Sequence, residues 1–202
     1  MPPAEPMLLA EPRLSVVDLR SVPPVAVGTL GPEGTSSEQA ARRVWHGIAD
    51  DGRPPLVRLF GSYEEAGDAL RAGEVSHVVV ASAYAGVSEY YMDTRLALAS
   101  AFIQDTPHYG IARRPGHEPP ARPRIASHPA PLPLIGQLLP DRFTGHEEIP
   151  VASTSAAAIA VRDGLVDLAL TTQPAAATYG LEFISRTRTI RMLWSVFVRN
   201  LV

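Results

Sequence analysis

The chain has 202 residues, 46% of them hydrophobic, and a formal net charge of -3. That is enough for one large domain or two small lobes, without the basic excess of a nucleic-acid-binding face. Cysteine and lysine are both absent, and all 18 residues of the Lys and Arg class are arginine. Thiolate nucleophiles, disulfides, Schiff-base lysines and a Walker A lysine are therefore excluded.

Residues 1–24 carry six of the 20 prolines and no sustained periodicity, and read as an extended Pro-rich arm. The first residues, Met1 to Pro6, offer neither a basic n-region nor an apolar h-region, and no apolar run reaches about 18 residues. A cytoplasmic protein is expected. From Val25 the pattern alternates. A strand is expected at Val25–Thr29 and a helix at Glu38–Ile48, its buried face formed by Ala40, Ala41, Val44, Trp45 and Ile48. A strand at Val57–Phe60 precedes a helix at Tyr63–Ala72, stopped by Gly73. His77–Ala81 is a continuous apolar strand, as in a sheet covered on both faces.

The second half continues in this style. Strands are expected at Gln104–Ala112, Arg124–Ser127 and Glu147–Val151. An Ala-rich helix opens at Ser153-Thr154-Ser155 and stops at Gly164. A strand at Leu168–Thr171, a short helix at Pro174–Tyr179 and a strand at Trp194–Val198 follow. Strands alternating with helices argue for an α/β fold with mostly parallel sheets.

Two helix starts stand out, Gly34-Thr35-Ser36-Ser37-Glu38 and Ser153-Thr154-Ser155. Unpaired N–H groups and the helix dipole favour an anion there by about 0.3–1 kcal/mol, and hydroxyls add donors. Simple N-capping explains either alone. Two in separate halves suit a cleft that grips a dianion from both sides. Among the histidines, His128 is best placed, just after a strand; His46 and His77 read as structural. No His/Asp/Glu set has metal spacing, and no G-x-S-x-G elbow is present.

The segments LGPEGTSSEQAA (30–41), ASHPAPL (126–132), STSAAAIAV (153–161) and DLALTTQPAAATYGL (167–181) resemble, in order and spacing, the successive motifs of prephenate dehydratase catalytic domains. The resemblance runs from Val25 to Phe197. It implies a two-lobed, periplasmic-binding-protein-like α/β fold with the site in the cleft. Residues 25–105 and 186–202 would form lobe 1, and 106–185 lobe 2. Gly31, Gly34, Thr35 and Ser37 would face Thr154 and Ser155 across the cleft.

Departures from the family pattern are specific. Dehydratases carry Gly-Thr-Phe-Ser where this chain has Gly34-Thr35-Ser36-Ser37. They carry Glu-Asn-Ser after the buried strand, where this chain has Ala83-Tyr84. Their Thr-Arg-Phe, with the threonine as favoured acid for the leaving hydroxyl, corresponds here to Ser195-Val196-Phe197. Over these 202 residues a catalytic domain without the phenylalanine-sensing regulatory domain of many dehydratases is expected. GPEGTSSE, SAYAG, DTPHYGIARRP and MLWSVF resemble instead the non-aromatising prephenate decarboxylase branch, of bacilysin-type antibiotic biosynthesis.

That resemblance implies loss of CO2 from prephenate with ring protonation and retention of the C4 hydroxyl. The product would be a dihydro-4-hydroxyphenylpyruvate. Ser195, Tyr84 and His128 become the catalytic candidates. Thr106 and Arg114 join Gly34, Thr35, Ser36, Ser37, Thr154 and Ser155 as candidate substrate contacts. The electron flow requires no cofactor and no metal. The expected partner is the small-molecule substrate, with neither nucleic acid nor membrane; a homodimer is compatible with the resemblance. The competing readings are an ordinary dehydratase, giving phenylpyruvate, and a small-anion binding module without catalysis.

Overall fold

The structure, a computed structural model, describes residues 13–15, 19–49 and 54–200. Most of the arm expected over residues 1–24 lies outside these. The chain opens with β1 (Arg13–Ser15), a 3-10 turn at Leu19–Ser21, β2 (Val27–Leu30), α1 (Ser36–Ile48) and β3 (Val57–Phe60). It continues through α2 (Tyr63–Ala72), β4 (His77–Ala81), α3 (Val87–Met92) and β5 (Leu96–Asp105). There it crosses to a second set of elements: β6 (Tyr109–Arg113), β7 (Arg124–Ser127), α4 (Ile135–Leu138) and β8 (Glu147–Pro150). After α5 (Thr154–Arg162), β9 (Leu168–Thr172), α6 (Gln173–Thr178) and β10 (Glu182–Phe183), it returns through β11 (Arg191–Arg199).

Two sheets result, in the orders β1-β5-β11-β4-β2-β3 and β10-β6-β9-β7-β8. Both are mixed rather than mostly parallel. β2 is parallel to β3 and β4, and β7 to β8 and β9, as helical crossovers require. The antiparallel pairings have a topological cause in lobe 1. β5 leaves the lobe and β11 re-enters it, so they lie side by side in opposite directions, paired from Arg191 against Asp105 to Arg199 against Leu96 with a register shift between Val196 and Phe197.

Each sheet is packed on both faces. The α1 stripe of Ala40, Ala41, Val44, Trp45 and Ile48 is buried, against Val27, Val79, Trp194 and Val196. On the opposite face α2 and α3 bring Leu70 and Tyr90 against Val78, Val80 and Phe197. Gly73 closes α2 with φ 78°, a left-handed conformation that glycine takes without steric cost. In the second lobe, Ile125, Leu168 and Leu170 pack under α4, and Ala126 and Ala169 under α5.

The strand expected over Gln104–Ala112 is broken. β5 ends at Asp105 and β6 starts at Tyr109, because Thr106-Pro107-His108 carries the chain between lobes and Pro107 has no N–H for a ladder. No helix among the described residues is long and apolar enough to cross a membrane.

Candidate active site

A cleft of about 250 Å³ opens between the two lobes. Three helix N-termini converge on it: Thr35-Ser36-Ser37 of α1, Ser62-Tyr63-Glu64 of α2 and Ser153-Thr154 of α5. Each is capped by its own hydroxyl. Thr35 accepts from Glu38 N at 3.3 Å, Ser62 from Glu65 N at 3.1 Å and Ser153 from Ala156 N at 3.0 Å. In α1 and α2 the third-position glutamate also reaches back, accepting from Gly34 N at 2.8 Å and from Gly61 N at 2.9 Å. This is a variant of the capping box. The caps take the third N–H of each helix and leave the first two, which have no intrahelical acceptor, to favour an anion in the cleft.

Tyr63 ties this floor together. Its Oη lies 2.9 Å from Ser37 Oγ and accepts from Ala81 N at 3.2 Å. Burial pushes its hydroxyl above the ordinary tyrosine value, opposed by hydrogen bonds with Ser37, Ala81 and Thr29. Tyr109, from the other lobe, is likewise raised by burial and shares a hydrogen bond with Ser36. Leu30, Ala81, Pro131, Met192 and Trp194 give the cleft an apolar wall.

Among the described residues, no arginine lines this cleft, and Glu64 is its one carboxylate. Tyr84 donates a hydrogen bond to Glu64, which holds that carboxyl below its usual value. Burial first, then the Glu64 contact, pushes the Tyr84 hydroxyl up to about 12. His128, just beyond β7, accepts from Ala130 N through Nδ1 at 3.2 Å, so the neutral ring carries its proton on Nε2. Burial lowers its pKa from the ordinary histidine value.

Of the expected site residues, Thr35, Ser36, Ser37, Tyr84, His128 and Thr154 line the cleft. Five others do not. Ser195 is fully buried on the other face of β11, 2.8 Å from Tyr91 Oη; strand alternation sends Met192 and Trp194 to the cleft instead. Thr106 joins the two crossover segments, accepting from Ile190 N at 3.0 Å and donating to Pro107 O at 3.0 Å. Arg114 covers Gly164, just past the end of α5 opposite to Thr154; a Cβ there would come within 2.8 Å of its Nη1. Ser155 donates to Glu33 O at 2.7 Å, and Gly34 O accepts from Thr172 at 2.9 Å.

The third helix start was legible in principle. Ser62-Tyr63-Glu64-Glu65 has the S-x-x-E spacing of a capping box. Tyr63 and Tyr109 carried no such signal, because tyrosines at helix and strand positions are ordinary core residues.

The sequence matches the family model described as prephenate dehydratase over residues 27–189. The chain belongs to the prephenate dehydratase family. Within it, the chain is 39% identical over 175 residues to a protein of Planktothrix agardhii named prephenate decarboxylase, covering 85% of this chain and 86% of that one. A Bacillus subtilis protein of the same name is 36% identical over 181 residues, covering 86% of each chain. Among solved structures, the prephenate dehydratase of Arthrobacter aurescens in complex with L-Phe superposes with a TM-score of 0.69 at 21% identity. That match covers 88% of this chain but spans only 61% of the dehydratase. The periplasmic VFT2 domain of Bordetella pertussis BvgS matches at TM-score 0.52 and 17% identity, over 92% of this chain and 87% of that one. The family fold is therefore two-lobed α/β and periplasmic-binding-protein-like, as the motifs implied.

Proposed function

We propose that this chain is a non-aromatising prephenate decarboxylase, a carboxy-lyase of specialised antibiotic-type amino-acid biosynthesis. The observation that carries the reading is its 36–39% identity, over 85–86% of its length, to relatives of that name. In the reaction the bond from the ring to its carboxylate breaks and CO2 leaves. The bonding electron pair enters the ring diene, one ring carbon takes a proton, and the C4 hydroxyl stays. Prephenate dianion and one proton thus give CO2 and the dihydro-4-hydroxyphenylpyruvate anion.

The cleft suits that electron flow. The helix starts of α1 and α5, with Thr35, Ser36, Ser37 and Thr154, hold one carboxylate through N–H and O–H donors. The ring then lies along Leu30, Met192 and Trp194. A carboxylate held there is poorly solvated, and losing CO2 relieves that cost. The same apolar wall disfavours charge on a departing hydroxyl, so the oxygen is retained. Tyr84 and His128 flank the cleft as proton-handling groups; the dianion raises the affinity of His128 for the proton it passes to the ring. A cytoplasmic location belongs to the same proposal.

The test is purified protein with prephenate, the product read by NMR. Loss of CO2, a retained oxygen-bearing ring carbon and no aromatic protons are expected. Stoichiometric phenylpyruvate above the uncatalysed background would establish a dehydratase instead, and absence of turnover a binding module.

A further inference from the structure

Folds with two lobes around a ligand commonly hinge open and close on it. Here lobe 1 is already bonded to lobe 2 through one turn. Ser155, fully buried at the start of α5, donates to Glu33 O at 2.7 Å. Thr172, fully buried at the end of β9, donates to Gly34 O at 2.9 Å. Gly34 has φ 85°, and a Cβ on it would sit 3.3 Å from the Cα and N of Ala175 in α6. Glycine is needed here twice over, for the left-handed backbone and for the close approach. The next residues, Thr35, Ser36 and Ser37, form the α1 start that faces the cleft.

We propose that Ser155 and Thr172 are positioning residues that clasp the Glu33-Gly34 turn and hold the α1 and α5 helix starts at a fixed separation before substrate enters. This rests on the reading of the cleft as the prephenate site. Neither hydroxyl needs to touch substrate. Both are spent on carbonyls of the opposite lobe, 122 and 138 residues away in sequence. The chain gains by not having to order two lobes at each binding event, a cost that preorganisation removes. Glu38 completes the device from within lobe 1, since its carboxylate takes Gly34 N at 2.8 Å and an ion pair to Arg42 at 2.7 Å.

The test uses Ser155→Ala, Thr172→Val, their combination, and Gly34→Ala as a wedge that opens the clasp sterically. Hydrogen exchange of the Gly34 and Glu38 amides, which donate to the Glu38 and Thr35 side chains, is read in the free protein, which requires no turnover. Each lost bond is expected to speed that exchange about fivefold, the equivalent of one ordinary hydrogen bond. In the double variant, KM for prephenate rises about tenfold or more with kcat changed less, and prephenate shrinks the radius of gyration, which it leaves unchanged in wild type. A folded double variant with wild-type exchange and KM overturns the clasp. If the double variant does not fold, the single variants decide by the same two readouts. Altered exchange in a protein that never turns over prephenate would keep the clasp while removing the decarboxylase reading.

Discussion

Ser195 Oγ lies 2.8 Å from Tyr91 Oη, on the face of β11 turned away from the cleft, while Trp194 beside it forms part of the cleft wall. The position that resembles the dehydratase threonine thus holds α3 to the sheet. Ser195→Ala is expected to lower stability by about 1 kcal/mol, one hydrogen bond, and to leave the product and kcat/KM within twofold of wild type. Trp194→Ala removes the wall, admits water, and is expected to cut kcat/KM by more than tenfold and to yield some phenylpyruvate. Product NMR and denaturant unfolding read both. Restoring the dehydratase arginine as Val196→Arg is not a usable test. Val196 is fully buried beside Val27 and Trp45, where an unpaired guanidinium unfolds the domain.

Ser37 and Tyr63 act as a pair. A hydrogen bond to a charged group contributes about 1.5–3 kcal/mol, so Ser37→Ala or Thr154→Ala is expected to reduce kcat/KM about tenfold or more. Tyr63→Phe removes the partner that fixes Ser37 and is expected to act through KM. The Ser37→Ala, Tyr63→Phe double variant is then no worse than the poorer single one. Strictly additive losses in a double-mutant cycle would count against the pairing.

His128→Gln keeps an N–H donor at the Nε2 position but has no transferable proton. The expected result is kcat reduced about a hundredfold, within the usual range for a positioned acid, with KM within a few-fold of wild type. Equal loss in the Gln and Ala variants on KM alone would reduce His128 to a binding contact.

Acidification is expected to weaken the fold. Burial lowers the pKa of both His77 and His128. The unfolded chain takes up these protons as pH falls through about 6.5, whereas the native state resists until its lower values. The unfolded state therefore binds more protons in that window, and stability rises with pH across it. For fully buried His77 the loss between pH 7 and 5.5 is at most about 1.3 kcal/mol. Urea unfolding at the two pH values measures it, and the His128→Gln variant should show a shallower dependence.

Much of this molecule was written in local pattern. The stripe Ala40, Ala41, Val44, Trp45, Ile48 has the period of a helix lying on a sheet, and it is buried as that period requires. The hydroxyl clusters at 35–37 and 153–155 read as helix starts because Ser and Thr cap through their own backbone, a relation that spans three residues. Four motifs in order carried the family, and with it the two-lobed α/β fold. Which hydroxyls face the cleft was a different matter. Thr154 and Ser155 are neighbours with the same chemistry, yet one lines the cleft and the other bonds Glu33 of the opposite lobe. Along β11 a single step of register separates Trp194 in the cleft from Ser195 against Tyr91. Arg114, the expected cation, runs to the far end of α5. Those outcomes depend on side-chain direction and on contacts between residues far apart in sequence, 104 positions for Tyr91 with Ser195 and 122 for Glu33 with Ser155. Only tertiary packing decides them, within each lobe for Ser195 and Arg114 and between the lobes for Ser155, because local periodicity fixes which face a residue is on but not what stands across from it.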